Sequence, residues 1–546
     1  MGTIENFVLR LHGSRAREES IRLAAAAERA RLGEGEAPDA GVEALTKAIG
    51  GPHVLPFGTF LDGQALGVIP SLALQGGLCI GAPGSGKTRF LLAQIMTQLR
   101  WNLGLPSFGV APPPGWESEV ELLDPKSETF YELKMSIAAE FLCGSEATRK
   151  ALRRFVRVFD WSRHRVCPFA PFDNAAGTVS DAFLAHQRVD VEVAASGQTY
   201  TDGVQQLYFM VARLLVAKRY PPNLRFFRRL LKDAAFRLRQ IESVADRDVA
   251  SYFRFFDDTV ANQTIDAFGR RMQRALCFPE LILSIGIPPA TLDRLLPKME
   301  PRLTIGNFGP GQSLPAGKAI EQASHRVIDL LRWLPRRDTR RPGLVIFEEA
   351  AVLLSLASEL TEPLANAARS LRSFKSGAWY AAQDFSNALR KPLVRTLLLN
   401  SKWIVLFQSR EEAEWLAGFA DEMPAFTGTA AQKKAAFVRE VQNLPTRHAY
   451  LYVKGHRPVR FVTTAVPSAS ELAGGVPDDE LIAIFDREIA PASSIPAAVA
   501  EEAILRWENE VVGPEEASRT PGTSAAKSRR SPGIADLLAD LGEDAP

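Results

Sequence analysis

Hydrophobic and polar positions along this chain change rhythm several times. Residues 1–50 read as a helical appendage rich in Ala, Glu and Arg that ends at Gly50-Gly51. From Pro56 onward, short β-type apolar runs alternate with helical runs, which is the pattern of a parallel α/β sheet. Strands are expected near Leu78–Ile80, Val120–Leu123, Arg157–Phe159, Leu303–Ile305, Leu344–Phe347, Ala378–Ala382, Trp403–Phe407 and Val459–Thr464, with a late hairpin around Gly455. Between about Ser180 and Ile287 the strand signal vanishes and amphipathic helical spacing takes over. The expected fold is therefore α/β, a parallel sheet flanked by helices with an all-α insert. The expected boundaries are 1–50 (appendage), 51–180 and 301–465 (two parts of the α/β domain), 181–300 (insert), 466–510 (C-terminal helices) and 511–546 (a flexible tail). The tail is rich in Gly, Pro, Ser and Thr. It closes on an acidic-apolar stretch, Gly533 to Gly542, which reads either as a solvated end or as a peptide that docks in a partner's groove.

Composition narrows the class. At 546 residues the chain has room for about three domains. Its 46% hydrophobic and 23% charged residues are ordinary for a globular protein. Lys plus Arg (65) nearly balances Asp plus Glu (63), so overall charge does not mark a nucleic-acid binder and any such contact needs a local basic surface. Cys79, Cys143, Cys167 and Cys277 lie too far apart for a zinc knuckle, and thiols so used suit a reducing compartment. The N-terminus does not read as a signal peptide. No stretch approaches the roughly 20 apolar residues of a membrane span, so a cytoplasmic protein is expected, brought to a membrane only by a partner.

The sharpest chemical signal is Gly81-Ala82-Pro83-Gly84-Ser85-Gly86-Lys87-Thr88, continued by Arg89. It follows an apolar strand and opens a helix, as a phosphate-binding loop requires. Glycines let successive N–H groups face one anion, and the helix N-terminus adds a favourable dipole. Lys87 is expected to reach the β- and γ-phosphates of ATP, and Thr88 to bind Mg²⁺. Such a site also needs a carboxylate for the metal and often one for the attacking water. The run Leu344–Phe347 leads directly into Glu348 and Glu349, which take those two roles in order. Glu348 stands where Asp is usual and is one methylene longer. Gln383, at the end of a later strand, is placed to sense the γ-phosphate or to hold the water. Arg369, Arg372 and Lys375 form a basic helix end, either an ordinary favourable terminus or a source of an arginine that reaches a neighbouring subunit's ATP.

Further strings extend the picture. Leu122-Leu-Asp124-Pro-Lys126-Ser127-Glu128 runs on to Tyr131 and Leu133. Arg157-Val-Phe159-Asp-Trp161 precedes Pro168-Phe-Ala-Pro-Phe172. Asn443-Leu-Pro-Thr-Arg447 leads to Lys454 through Arg460. Together with the phosphate loop, from about Gly58 to Ala465, these resemble the TraG/TraD-like coupling ATPases of bacterial conjugation and type IV secretion, in the superfamily that includes FtsK and HerA. The resemblance implies a RecA-like fold, a homohexamer with single-stranded or duplex DNA in a central channel, and ATP sites between subunits. It puts the arginine finger at Arg372 and the sensor glutamine at Gln383, and it implies relaxosome or secretion-type protein partners. The chain departs from the pattern at Ser127 (usually Gly), at Glu348 (usually Asp) and in lacking the usual N-terminal anchor sequence.

Residues 213–239 carry nine Lys or Arg, with Phe226, Phe227 and Phe236 interleaved. That run is either an amphipathic helical surface with buried Phe or a groove for single-stranded nucleic acid. The expected function is an ATP-hydrolysing DNA translocase. The alternatives are an ATP-switched docking platform for protein cargo and an NTPase subunit of a mobile-element or defence system.

Overall fold

The computed structural model describes residues 40–51, 53–160, 165–174, 180–196, 200–297, 299–309, 322–323, 326, 341–351, 375–383, 385, 401–409, 411–419 and 428–513. The chain divides into two compact units, one of Met1–Asp160, Ala194–Ser196 and Pro297–Ser493, the other of Trp161–Val193, Gly197–Leu296 and Ser494–Pro546.

The first unit is built on one mixed sheet. Its strands are β1 (Leu55–Phe60), β2 (Ala65–Val68), β3 (Gly77–Ile80), β4 (Glu119–Asp124), β5 (Val156–Phe159), β7 (Leu303–Asn307), β8 (Gly343–Phe347), β9 (Ser376–Ala382), β10 (Trp403–Leu406), β11 (His448–Val453) and β12 (Val459–Thr463). Their order is β2-β1-β12-β11-β10-β3-β9-β8-β4-β7-β5. From β10 to β5 every pairing is parallel, and from β11 to β2 every pairing is antiparallel. The parallel strands are nearly continuous buried runs, as expected where helices cover both faces. The hairpin of β1 and β2 was not expected. Pro56, Gly58 and Gly67 break its apolar alternation, and the register slips at Pro56/Gly58.

An aromatic layer anchors the centre of this sheet. Trp379 and Trp403 meet edge to face at 4.9 Å, and Phe57 packs on Trp403 at 5.5 Å. Both indole N–H groups donate to one carbonyl, that of Ala73, at 2.7 and 3.2 Å. Gly77 is required here, because a Cβ at that position would lie 2.1 Å from the Trp403 ring.

The second unit is helical apart from a short antiparallel pair, β6 (Arg165–Val166) with β13 (Ile495–Pro496). Several of its helices, such as Leu224–Lys232, Ala234–Ile241 and Arg247–Arg254, are short, and polar caps start each of them. Asn223 accepts from the Phe226 amide, Asp233 from that of Phe236 and Asp246 from those of Asp248 and Val249. The helix Ala497–Trp507 belongs to this unit, with Trp507 against Tyr220 at 5.4 Å and Phe226 at 6.0 Å. The stretch 466–510, expected as one C-terminal pair of helices, is thus divided. The helix Asp478–Glu488 packs in the first unit, where Asp486 pairs with Lys134 at 2.7 Å.

Burial resolves the two readings of the basic run. Phe226, Phe227 and Phe236 are all buried in the helical core and present no face for stacking. Arg213, Arg219, Arg225, Arg229 and Arg237 are paired with Asp246, Asp173, Glu508, Asp233 and Asp257. Arg228, Lys232 and Arg239 remain exposed. Among the described residues, no helix is long and apolar enough to cross a membrane. The four cysteines are free thiols.

Candidate nucleotide site

The site forms where adjacent parallel strands end. β3, β9, β8 and β4 are consecutive in the sheet, so their carboxyl ends bring together the loop from Gly81, the residue Gln383, the pair Glu348 and Glu349, and Asp124. Ligands of open α/β sheets bind at this edge.

The loop after β3 is fixed by backbone contacts. The Ala82 amide donates to the Gln408 carbonyl at 2.8 Å, and the Gly81 amide to the Ala382 carbonyl at 3.2 Å. Gly84 and Gly86 adopt φ of 75° and 105°, which L side chains rarely reach. On one side the loop is held by the turn before β11. The Arg447 amide donates to the Ser85 carbonyl at 2.8 Å, and a Cβ on Gly86 would come within 3.1 Å of the Arg447 Cα. The helix Lys87–Asn102 then starts on Gly86, which has no side chain to accept the first-turn amides. Those N–H groups and the helix dipole suit an anion.

Lys87 is buried, and its ammonium lies 3.5 Å from Glu348 Oε1 and 3.2 Å from Glu349 Oε1. Burial works to lower its pKa, but the two carboxylates more than offset that and hold the ammonium above the ordinary lysine value. Glu348 is 2% exposed and follows β8, where its amide donates to the Leu123 carbonyl at 3.0 Å. Burial, followed by the charge of Asp124, pushes its carboxyl up to about 7 against the pull of Lys87. Ser85 Oγ is buried and finds no hydrogen-bond partner among the described residues, while the Thr129 hydroxyl lies by the Glu348 carboxyl. A buried oxygen without a partner at this edge fits a site that is completed by a ligand.

Glu349 sits at φ 44°, a left-handed conformation for a side chain of this size. Its Oε1 also lies 3.1 Å from Lys126 Nζ, and its Oε2 accepts from the Gln383 backbone amide at 3.5 Å. Gln383 is half-buried, just beyond β9. Thr88 is half-buried in the first helical turn. Arg89 pairs with Glu132 at 3.2 Å. Arg372 lies outside the described residues.

The Asp124 string is the part whose geometry spacing alone does not reveal. Asp124 is fully buried, and its carboxylate accepts from the amides of Lys126, Ser127 and Phe130 at 2.8, 2.9 and 2.9 Å. Burial pushes its carboxyl up even so. The string thereby folds back as a tight turn that delivers Lys126 to Glu349. Its sequence signal, an acid followed by Pro and Lys at a strand end, is readable in advance, but the contact with Glu349 across 223 residues is not.

No family model matches the chain, and no curated protein matches it. Solved structures do. The structure of VirB4 of Thermoanaerobacter pseudethanolicus aligns at 13% identity over 77% of this chain and 99% of that one, with a TM-score of 0.48. The bacterial conjugative coupling protein TrwBdeltaN70 aligns at 13% identity over 78% and 94%, with a TM-score of 0.45. The plasmid coupling protein TrwB in complex with ADP and Mg²⁺ aligns at 13% identity over 78% and 92%, also at 0.45.

Proposed function

We propose that this chain is an ATP-hydrolysing motor of the coupling-protein kind. One observation carries the proposal. A buried lysine opens a helix behind a glycine turn and faces two carboxylates at the end of a nearby parallel strand. That arrangement serves phosphoryl transfer, in which the protein positions groups and stabilises charge rather than forming covalent intermediates.

In this reading the amides from Gly84 to Thr88 cradle the phosphates, and Lys87 moves onto the β- and γ-phosphate oxygens. Thr88 and Glu348 would hold Mg²⁺, which supplies positive charge to the phosphate oxygens when bound. The buried Glu348 carboxyl at the end of β8, 3.5 Å from Lys87 Nζ, supports that assignment. Glu349 orients and polarises the attacking water. Gln383, whose amide already touches Glu349, reports the γ-phosphate to β9. Arg372 acts on the ATP of a neighbouring subunit in a hexameric ring, and the hydrolysis cycle moves DNA. The exposed Arg228, Lys232 and Arg239 suit phosphate contacts made without base stacking.

The deciding experiment is ATP turnover by the purified protein with and without single- and double-stranded DNA, with Lys87→Ala as the blank. Turnover that DNA stimulates and the blank lacks is the expected result. Turnover indifferent to both DNAs would remove the DNA motor while leaving the ATPase.

A further inference from the structure

Glu349 Oε1 is gripped from two sides, by Lys87 Nζ at 3.2 Å and by Lys126 Nζ at 3.1 Å. The two lysines are not equivalent. Lys87 is shared between Glu348 and Glu349, and it is the group a phosphate would draw away. Lys126 stands on the turn after β4. Its own amide donates to Asp124 Oδ1 at 2.8 Å, so its backbone is fixed, and its side chain is 35% exposed.

We infer that Lys126 is the positioning residue of Glu349: it keeps that carboxylate in place once Lys87 has turned to the phosphates. The inference rests on the ATPase reading and deepens it. Glu349 is 4% exposed, and a buried carboxylate needs a counter-charge. Among the described residues its other polar contact is the Gln383 amide at 3.5 Å, too long to substitute for one. Its backbone adds a second need, since at φ 44° the residue is held where few L side chains settle. A carboxylate that must orient water tolerates little displacement, and among the described residues Lys126 supplies the remaining cation in contact with it. Packing does not account for its placement, because a third of the side chain stays in solvent.

The test compares Lys126→Ala, Lys126→Arg, Glu349→Gln and the double variant Lys126→Ala/Glu349→Gln. It measures steady-state ATP hydrolysis, with equilibrium binding of a fluorescent non-hydrolysable ATP analogue as an independent readout. Lys126→Ala is expected to bind the analogue as the unaltered chain does while kcat falls about tenfold to a hundredfold. Lys126→Arg should recover most of that loss. In the double variant the lysine change should add nothing to the glutamine change, because it acts through Glu349. Weakened analogue binding with unchanged kcat would overturn the inference and make Lys126 a phosphate contact. An unchanged kcat with unchanged binding would overturn it as well. An unaltered chain that fails to bind the analogue removes the ATPase reading itself, and the binding measurement shows that directly.

Discussion

Ser127 Oγ donates to Asn307 Oδ1 at 2.7 Å, joining the turn after β4 to the end of β7. Ser127 holds φ 71°, where glycine is at ease and serine is strained. The hydrogen bond offsets that strain. Gly309 completes the fit, since a Cβ there would lie 2.0 Å from the Ser127 hydroxyl. Ser127→Gly should therefore be nearly neutral, losing the bond but also the strain. Ser127→Ala keeps the strain without the bond and should cost about 1 kcal/mol. Thermal melts that rank Ala above Gly would contradict this account.

Glu348 gives the fold a pH signature. Its carboxyl is raised from an ordinary value of 4.5 to about 7, with burial the largest cause and the Asp124 charge next. Between those values the folded state binds more protons than the unfolded one, so this group's contribution to stability falls as pH rises. Glu348→Gln is neutral throughout. Relative to the unaltered chain, its melting temperature should therefore gain as pH goes from 4.5 to 7 and level off above. A difference that stays flat over this range would count against a raised Glu348.

Gly77 leaves no room for a side chain. Gly77→Ala would drive its Cβ into the Trp403 ring at the point where both tryptophans bond to the Ala73 carbonyl. Overpacking of this kind costs about 1–3 kcal/mol. The loss should appear as a lower denaturant midpoint with an unchanged slope. A smaller residue at 403, as in Gly77→Ala/Trp403→Phe, should restore part of it.

The basic run of the helical unit separates into structural and exposed charges. Arg237 is 2% exposed and donates to the Leu230 and Leu231 carbonyls. Arg237→Ala should cost about 3 kcal/mol, because it leaves buried acceptors unpaired. Arg228, Lys232 and Arg239 are exposed, so changing all three to Glu should leave the melting temperature nearly unaltered. In the DNA-motor reading the same triple change weakens DNA binding and flattens its salt dependence. DNA affinity that survives the triple change would place any DNA contact elsewhere.

Much of the candidate nucleotide edge is legible in the sequence. A strand, a glycine turn and a helix follow each other within Leu78 to Leu99, so local physics alone specifies where an anion would sit. The buried run before Glu348 likewise announces a parallel strand that ends in acids. The eight expected strands all appear, because apolar runs bounded by polar turns are a local property of the chain. The β1–β2 hairpin escaped because proline and glycine blur its alternation.

What the sequence by itself determined is therefore the alternation of elements, the glycine turn between β3 and its helix, and the types of residue at strand ends. Tertiary structure alone decided which strand ends are neighbours. Placing β9 and β8 between β3 and β4 brings Lys87, Lys126 and Glu349 together from three separated stretches of chain. It also turned the Phe residues of the basic run inward and gave Arg213, Arg219, Arg225, Arg229 and Arg237 acidic partners. These outcomes depend on burial and on charges brought close by long-range pairing, and spacing along a single chain carries neither.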